Sequence, residues 1–144
     1  MEQTEKRQKT IKTIIGLIVG AAVFITVQLV FFQKQSFDKA MLEAADEINK
    51  SCPMMVDKET RLDNAAALPD NVFQYNYTLI NANKSDIDIE DFTIYMEPII
   101  VNNVKTNPDL KIYRENKVTM SYYYKDKNSL FLTKIVVTPD KYSN

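Results

Sequence analysis

The chain has 144 residues, with 18 Lys/Arg against 19 Asp/Glu, no His and one Cys. Without His there is no side chain that ordinarily titrates near neutral pH, so Ser-His-Asp and Cys-His nucleophile systems are excluded, as are zinc sites built on His or on several Cys. The even charge balance argues against a polyanion-binding surface, and both glycines fall in one apolar run, so no Gly-rich phosphate loop can form elsewhere.

Residues 1–12 are a short polar tail carrying Lys6, Arg7, Lys9 and Lys12. Thr13 to Gln33 follows without a charged residue. About 20 apolar residues in a helix cross the hydrocarbon core of a bilayer, and a helix satisfies its own backbone hydrogen bonds there. The run is longer than a secretory h-region of ~7–15 residues and has no small-residue cleavage site before Lys34, so it reads as an uncleaved signal anchor. The basic tail predicts a cytoplasmic N-terminus and an exported segment, residues 34–144. Gly16 and Gly20 form a G-x-x-x-G pattern, a candidate membrane-helix contact for a homodimer, although glycine is also common in such helices.

Taking away the tail's charges leaves the exported part at a net −3. Its sole cysteine, Cys52, has no intramolecular partner, so it is either a buried thiol or an intermolecular bridge. With no Gly beyond the span, turns that need positive φ must fall to Asn or Asp.

Ser36 is a candidate cap for a helix from Phe37 to about Lys50, on which Phe37, Ala40, Met41, Ala44, Ala45 and Ile48 make one apolar stripe. Cys52-Pro53 breaks it. Met54 to Leu62 reads as a strand, Pro69-Asp70-Asn71 as a turn, and Val72 to Ala82 as the clearest strand. There Phe73, Tyr75, Tyr77 and Leu79 alternate with Gln74, Asn76 and Thr78, which predicts that the tyrosines face the helices.

Asp86 to Val104 reads as a helix with an acidic first turn, and Pro98 is expected to kink or divide it. Thr106-Asn107-Pro108-Asp109 is a stop and restart, with a helical turn through Arg114. Val118 to Lys125 and Leu130 to Thr138 are two further strands about an Asp126–Ser129 turn, and the tail from Pro139 is expected to be loose. The expected fold is α+β: a four-stranded antiparallel sheet with helices on one face, in the order helix-β-β-helix-β-β. The strings PMMVDKETRLD, FQYNYTL and TNPDL resemble small bacterial envelope proteins of unknown function, a resemblance that implies no activity and no site residues.

Three motifs are set aside. Ser36-Phe37-Asp38-Lys39 matches S-x-x-K but lacks its companion motifs. Asp86, Asp88, Glu90 and Glu97 sit at EF-hand spacing, but the loop's required Gly is Asp91, so they read as a dipole-complementing helix start. The sequons at Asn49, Asn76 and Asn83 matter only in a eukaryotic secretory route. No catalytic, cofactor or metal residue is singled out.

Tyrosine carries the remaining signal. Tyr123 lies opposite its neighbours Tyr122 and Tyr124, and with Gln74, Asn76, Thr78, Thr119 and Ser121 it forms the candidate partner surface on the sheet face away from the helices. The reading is a non-enzymatic, membrane-anchored extracytoplasmic binding or assembly domain. It would be a subunit of, or a partner to, a bacterial inner-membrane envelope complex. The alternative is a small periplasmic inhibitor or immunity-type protein that blocks an exported enzyme. A reporter fused to the C-terminus is expected to be active only outside the cytoplasm, and cytoplasmic activity alone would overturn the topology.

Overall fold

The computed structural model describes residue 34 and residues 36–143. The expected span at residues 13–33, with Gly16 and Gly20, lies outside them. Among the described residues, no helix is long and apolar enough to cross a membrane. Ala40–Asn144 forms a compact unit of its own.

Helix α1, residues 36–50, stops before a cis Cys52–Pro53 peptide. Ser36 lies within the helical turns, so it is not the cap expected of it. Met41 and Ala45 are the buried members of the stripe, whereas Ala40 is exposed.

The expected strand Met54–Leu62 is split. Met54–Met55 forms a short β1, and β2 begins only at Thr60 and runs to Leu68. Between them the Asp57 carboxylate accepts from the Glu59 and Thr60 N–H groups, both at 2.7 Å, and turns the chain. The second half of β2, Asp63-Asn64-Ala65-Ala66-Ala67, is built from residues with poor strand propensity. Pairing with the strongly alternating β3 (Val72–Leu79) holds it in place, with a bulge between Leu62 and Asn64. The β2–β3 turn places Asp70 and Asn71 at φ 63° and 60°, the residue types expected to replace glycine there. Asn71 then ties that turn to a second one through side-chain bonds to the carbonyls of Asn116 and Lys117, at 2.9 and 3.0 Å.

Helix α2 is Ile89–Thr106. Its N-cap is Asp88, which accepts from the Asp91 N–H at 3.0 Å, so the helix begins later than the acidic cluster implied. Pro98 does not divide it: the proline is exposed, on the side where a freed carbonyl meets water. Beyond Thr106 comes a 3-10 turn, Pro108–Leu110, and then α3, Lys111–Glu115. Arg114 reaches back to the carbonyls of Val104 and Asn107, both at 2.7 Å, and so satisfies the C-terminal end of α2.

Strands β4 (Thr119–Lys125) and β5 (Phe131–Val137) form the second hairpin, followed by α4, Pro139–Tyr142. The tail is not loose: Tyr142 is buried, and its hydroxyl donates to the Val118 carbonyl at 2.7 Å. The buried Asp126 carboxylate organises the β4–β5 turn, accepting from the N–H groups of Asn128, Leu130 and Lys84 at 2.8, 2.8 and 2.9 Å.

The sheet has five strands in the order β1-β2-β3-β4-β5, and it is mixed rather than antiparallel. The two expected hairpins are present, but they abut through a parallel β3–β4 pair, because α2 carries the chain back to the end where β3 began. Phe73, Val104, Val118, Met120 and Val137 make the fully buried centre.

At the other edge, β1 covers only Leu62 and Arg61 of β2. The Asn49 amide continues the work of a strand: it donates to the Ala65 carbonyl at 2.9 Å and accepts from its N–H at 2.7 Å. Asn49→Ala leaves both groups without that partner and is expected to cost roughly 1–3 kcal/mol in denaturant melts. Asn49→Asp keeps the acceptor and loses the donor, so it should fall between the two.

Candidate functional site

Parallel register sets both faces of the central sheet. Tyr75 stands beside Tyr122 and Tyr77 beside Tyr124, while on the opposite face Gln74 pairs with Ser121 and Asn76 with Tyr123.

The second face carries the six residues singled out from the sequence, and the structure brings them together. Ser121 donates to Gln74, Gln74 to Asn76 and Asn76 to Asn64, at 3.1, 2.9 and 2.7 Å, so the amides form a chain that satisfies itself. Ser121 and Thr78 are buried on this face. Thr119, Gln74, Asn76 and Tyr123 are half-exposed, and Tyr123 packs on the exposed Phe131 at a ring distance of 5.0 Å. Phe131 belongs to this surface and was not singled out beforehand, because the bulge between Tyr124 and Lys125 is what brings it opposite Lys125.

Asp63 closes one end of the face. Its carboxylate accepts from Thr78 at 2.6 Å and Arg61 at 2.7 Å, and pairs with Lys125 at 3.1 Å. Partial burial pushes the carboxyl up, but those three partners outweigh it and hold it below the ordinary value.

The tyrosine face is different. Tyr75, Tyr77, Tyr122 and Tyr124 form a continuous ladder, with Tyr77–Tyr124 stacked at 5.3 Å and Tyr75–Tyr122 tilted at 5.7 Å. Phe73 and Tyr113 of α3 extend it at one end, and Phe92 of α2 meets Tyr124 edge-on at the other. Burial pushes all four phenols up, Tyr124 to about 12 with Asp57 as a further cause.

Above this ladder, between α2 and the loop carrying Val56 and Asp57, lies an open groove of about 360 Å³. Tyr77, Tyr122 and Tyr124 line it together with Met96, Ile99 and Ile100 of α2. The sequence did not single it out. The available signal was an excess of apolar residues on α2: Ile94, Tyr95 and Ile99 remain 64%, 69% and 48% exposed after Ile100 and Val104 have filled the core.

The EF-hand-spaced carboxylates do not converge. Asp86 bonds Asn83 and Ser85, Asp88 caps α2, and Glu97 pairs with Lys141 at 2.6 Å. Cys52 is half-buried, and burial raises its thiol.

Fold and surface together define a small α+β domain with a mixed five-stranded sheet, offering an apolar groove on one face and a polar layer on the other. The chain belongs to the family described as a domain of unknown function (DUF8479), which matches residues 35–132. No curated protein matches it in sequence. Among solved structures it is similar to a protein of Pseudomonas aeruginosa named as secreted, at 8% identity and a TM-score of 0.63, covering 74% of this chain and 92% of that one. It is also similar to the type II secretion system pilotin AspS of Vibrio cholerae, at 10% identity and a TM-score of 0.55, covering 74% and 93%. The type II secretion pilotin EpsS of Vibrio vulnificus is a third, at 6% identity and a TM-score of 0.58, covering 76% and 94%. At these identities the likeness is one of fold.

A depressed carboxyl pKa adds stability that is complete above the unfolded value, about 3.9 for Asp, and is lost as pH falls through the folded one. The wild-type melting temperature should therefore drop steeply in that acid range, and Asp63→Asn should flatten the drop. Asp63→Ala is expected to cost about 1–3 kcal/mol at neutral pH.

Proposed function

We propose that the protein is a non-enzymatic, membrane-anchored domain on the outer side of a bacterial inner membrane that binds a protein partner and serves the assembly of an envelope complex. The observation that carries this reading is the fold it shares, over about three quarters of its length, with two pilotins of type II secretion systems. The apolar run at residues 13–33 supports the anchor, and the basic tail supports the orientation. Close approach of two spans at Gly16 and Gly20 is the proposed route to a homodimer. The lack of His supports a binding role over catalysis.

The proposed contact surface is the polar sheet face around Tyr123, with Gln74, Asn76 and Thr119 beside it. Its amides are already bonded to one another, so the contact energy would come from the aromatic pair Tyr123 and Phe131 rather than from new hydrogen bonds.

Co-purification of the full chain in mild detergent tests this. A stoichiometric membrane-complex partner is expected, whereas a soluble exported enzyme would favour an inhibitor. Tyr123→Ala should keep the domain folded and weaken capture by more than ~1 kcal/mol. Unchanged capture by a folded variant would remove this face as the site.

A further inference from the structure

The groove above the tyrosine ladder has the makeup of a binding site: apolar walls, a few polar groups and one charge at its mouth. Among the described residues no buried side-chain nitrogen or oxygen is left without a partner, and no protein group bonds the hydroxyls of Tyr77, Tyr122 and Tyr124. Those hydroxyls therefore keep accessible surface, on residues that line the groove.

Asp57 is the one charged residue in the lining. Its Oδ1 is held by the N–H groups of Glu59 and Thr60, and none of the ion pairs among the described residues includes it. The turn thus fixes a negative charge in place and leaves it unneutralised. Arg61, close by in sequence, is engaged by Asp63.

The apolar surface does not stop at the groove. It continues through Ile99 onto Tyr95, one helical turn and about 6 Å further along α2 at 1.5 Å per residue. Val56 stands on the opposite wall, 49% exposed. A small molecule filling the groove would leave that stripe bare, whereas a polypeptide segment would cover both.

We propose that this groove receives an apolar segment of a partner protein whose Lys or Arg side chain meets Asp57. The inference rests on the reading of the protein as a partner-binding domain, and it adds a second contact on the face opposite Tyr123. Apolar side chains of the segment lie against Met96, Ile99 and Val56. Its exposed polar atoms meet the three neutral tyrosine hydroxyls, and its cation selects the orientation.

The probe is a displayed library of random short peptides, selected against the full chain reconstituted in lipid nanodiscs. The best binder is then resynthesised with Lys, Arg, Gln or Glu at its cationic position. Titrations are followed by fluorine NMR of labelled tyrosines. Selected peptides are expected to join apolar residues to Lys or Arg, and to shift the Tyr77, Tyr122 and Tyr124 signals but not Tyr123. The Lys and Arg forms should bind about five-fold more tightly than the Glu form, an advantage that shrinks with added salt. Asp57→Asn keeps the Oδ1 acceptor of the turn and should erase that preference, and Ile99→Asp should abolish binding.

Four results would overturn the proposal: no peptide that shifts the groove tyrosines, equal affinity across the charge series, a preference that survives Asp57→Asn, or self-association of the chain that Ile99→Asp breaks, which would give the groove to a second copy. Photo-crosslinking in cells separates this inference from the broader reading. A partner captured only from Tyr123 removes the groove and keeps the binding domain, whereas no partner captured from any position of residues 34–143 removes both.

Discussion

The rest of the structure depends on the parallel pairing of β3 with β4. In that register Tyr75 meets Tyr122 and Tyr77 meets Tyr124, so four large rings form one surface instead of four separate contacts. A shift of β3 by one residue would send Tyr75 and Tyr77 to the opposite face, away from Tyr122 and Tyr124, and put the amides of Gln74 and Asn76 in their place. Two features lock the register. Asn71 joins the turn before β3 to the turn before β4, and the Asn71 carbonyl accepts from the Thr119 N–H at 3.0 Å.

Much of this was legible in the chain. The alternation around FQYNYTL and the MSYYY run placed the two central strands and sorted their faces, because one buried face imposes a period of two. The turn at Pro69-Asp70-Asn71 and the break at Asn107-Pro108 were read from residue chemistry alone. Parallel pairing was not legible, since it depends on where the connection through α2 delivers the chain, and no local pattern records that. The alanine half of β2 was hidden because its residues do not favour strands, and its neighbours decide the matter. The tail after Pro139 looked loose because its anchors, the Tyr142 hydroxyl on Val118 and Lys141 on Glu97, act across the fold.

The candidate site divides the same way. The polar face follows directly from alternation, which is why its six residues fall together. The groove does not, because it is a space between α2 and the Asp57 turn rather than a row of residues. Nor did the sequence reveal that Ser121 and Thr78 would be buried, the first bonded to the Gln74 amide and the second to the Asp63 carboxylate. The folded domain also makes its turns without glycine. Asp70 and Asn71 fit that expectation, whereas Lys117 and Ser129 take positive φ as well, the second inside a turn held by the Asp126 carboxylate.

The tyrosine ladder makes the domain vulnerable to base. Each of the four phenols loses its proton more readily in the unfolded chain, near pH 10, than in the packed ladder. Their contribution is complete below that value and disappears as pH rises through the folded pKa values. Because the rings share one surface, a single phenolate would be formed against three neighbouring rings, and opening the ladder is the way to hydrate it. Phenol ionisation and loss of structure should therefore arrive together, and a chain with eight Tyr and no Trp would report both in its tyrosine absorbance alone.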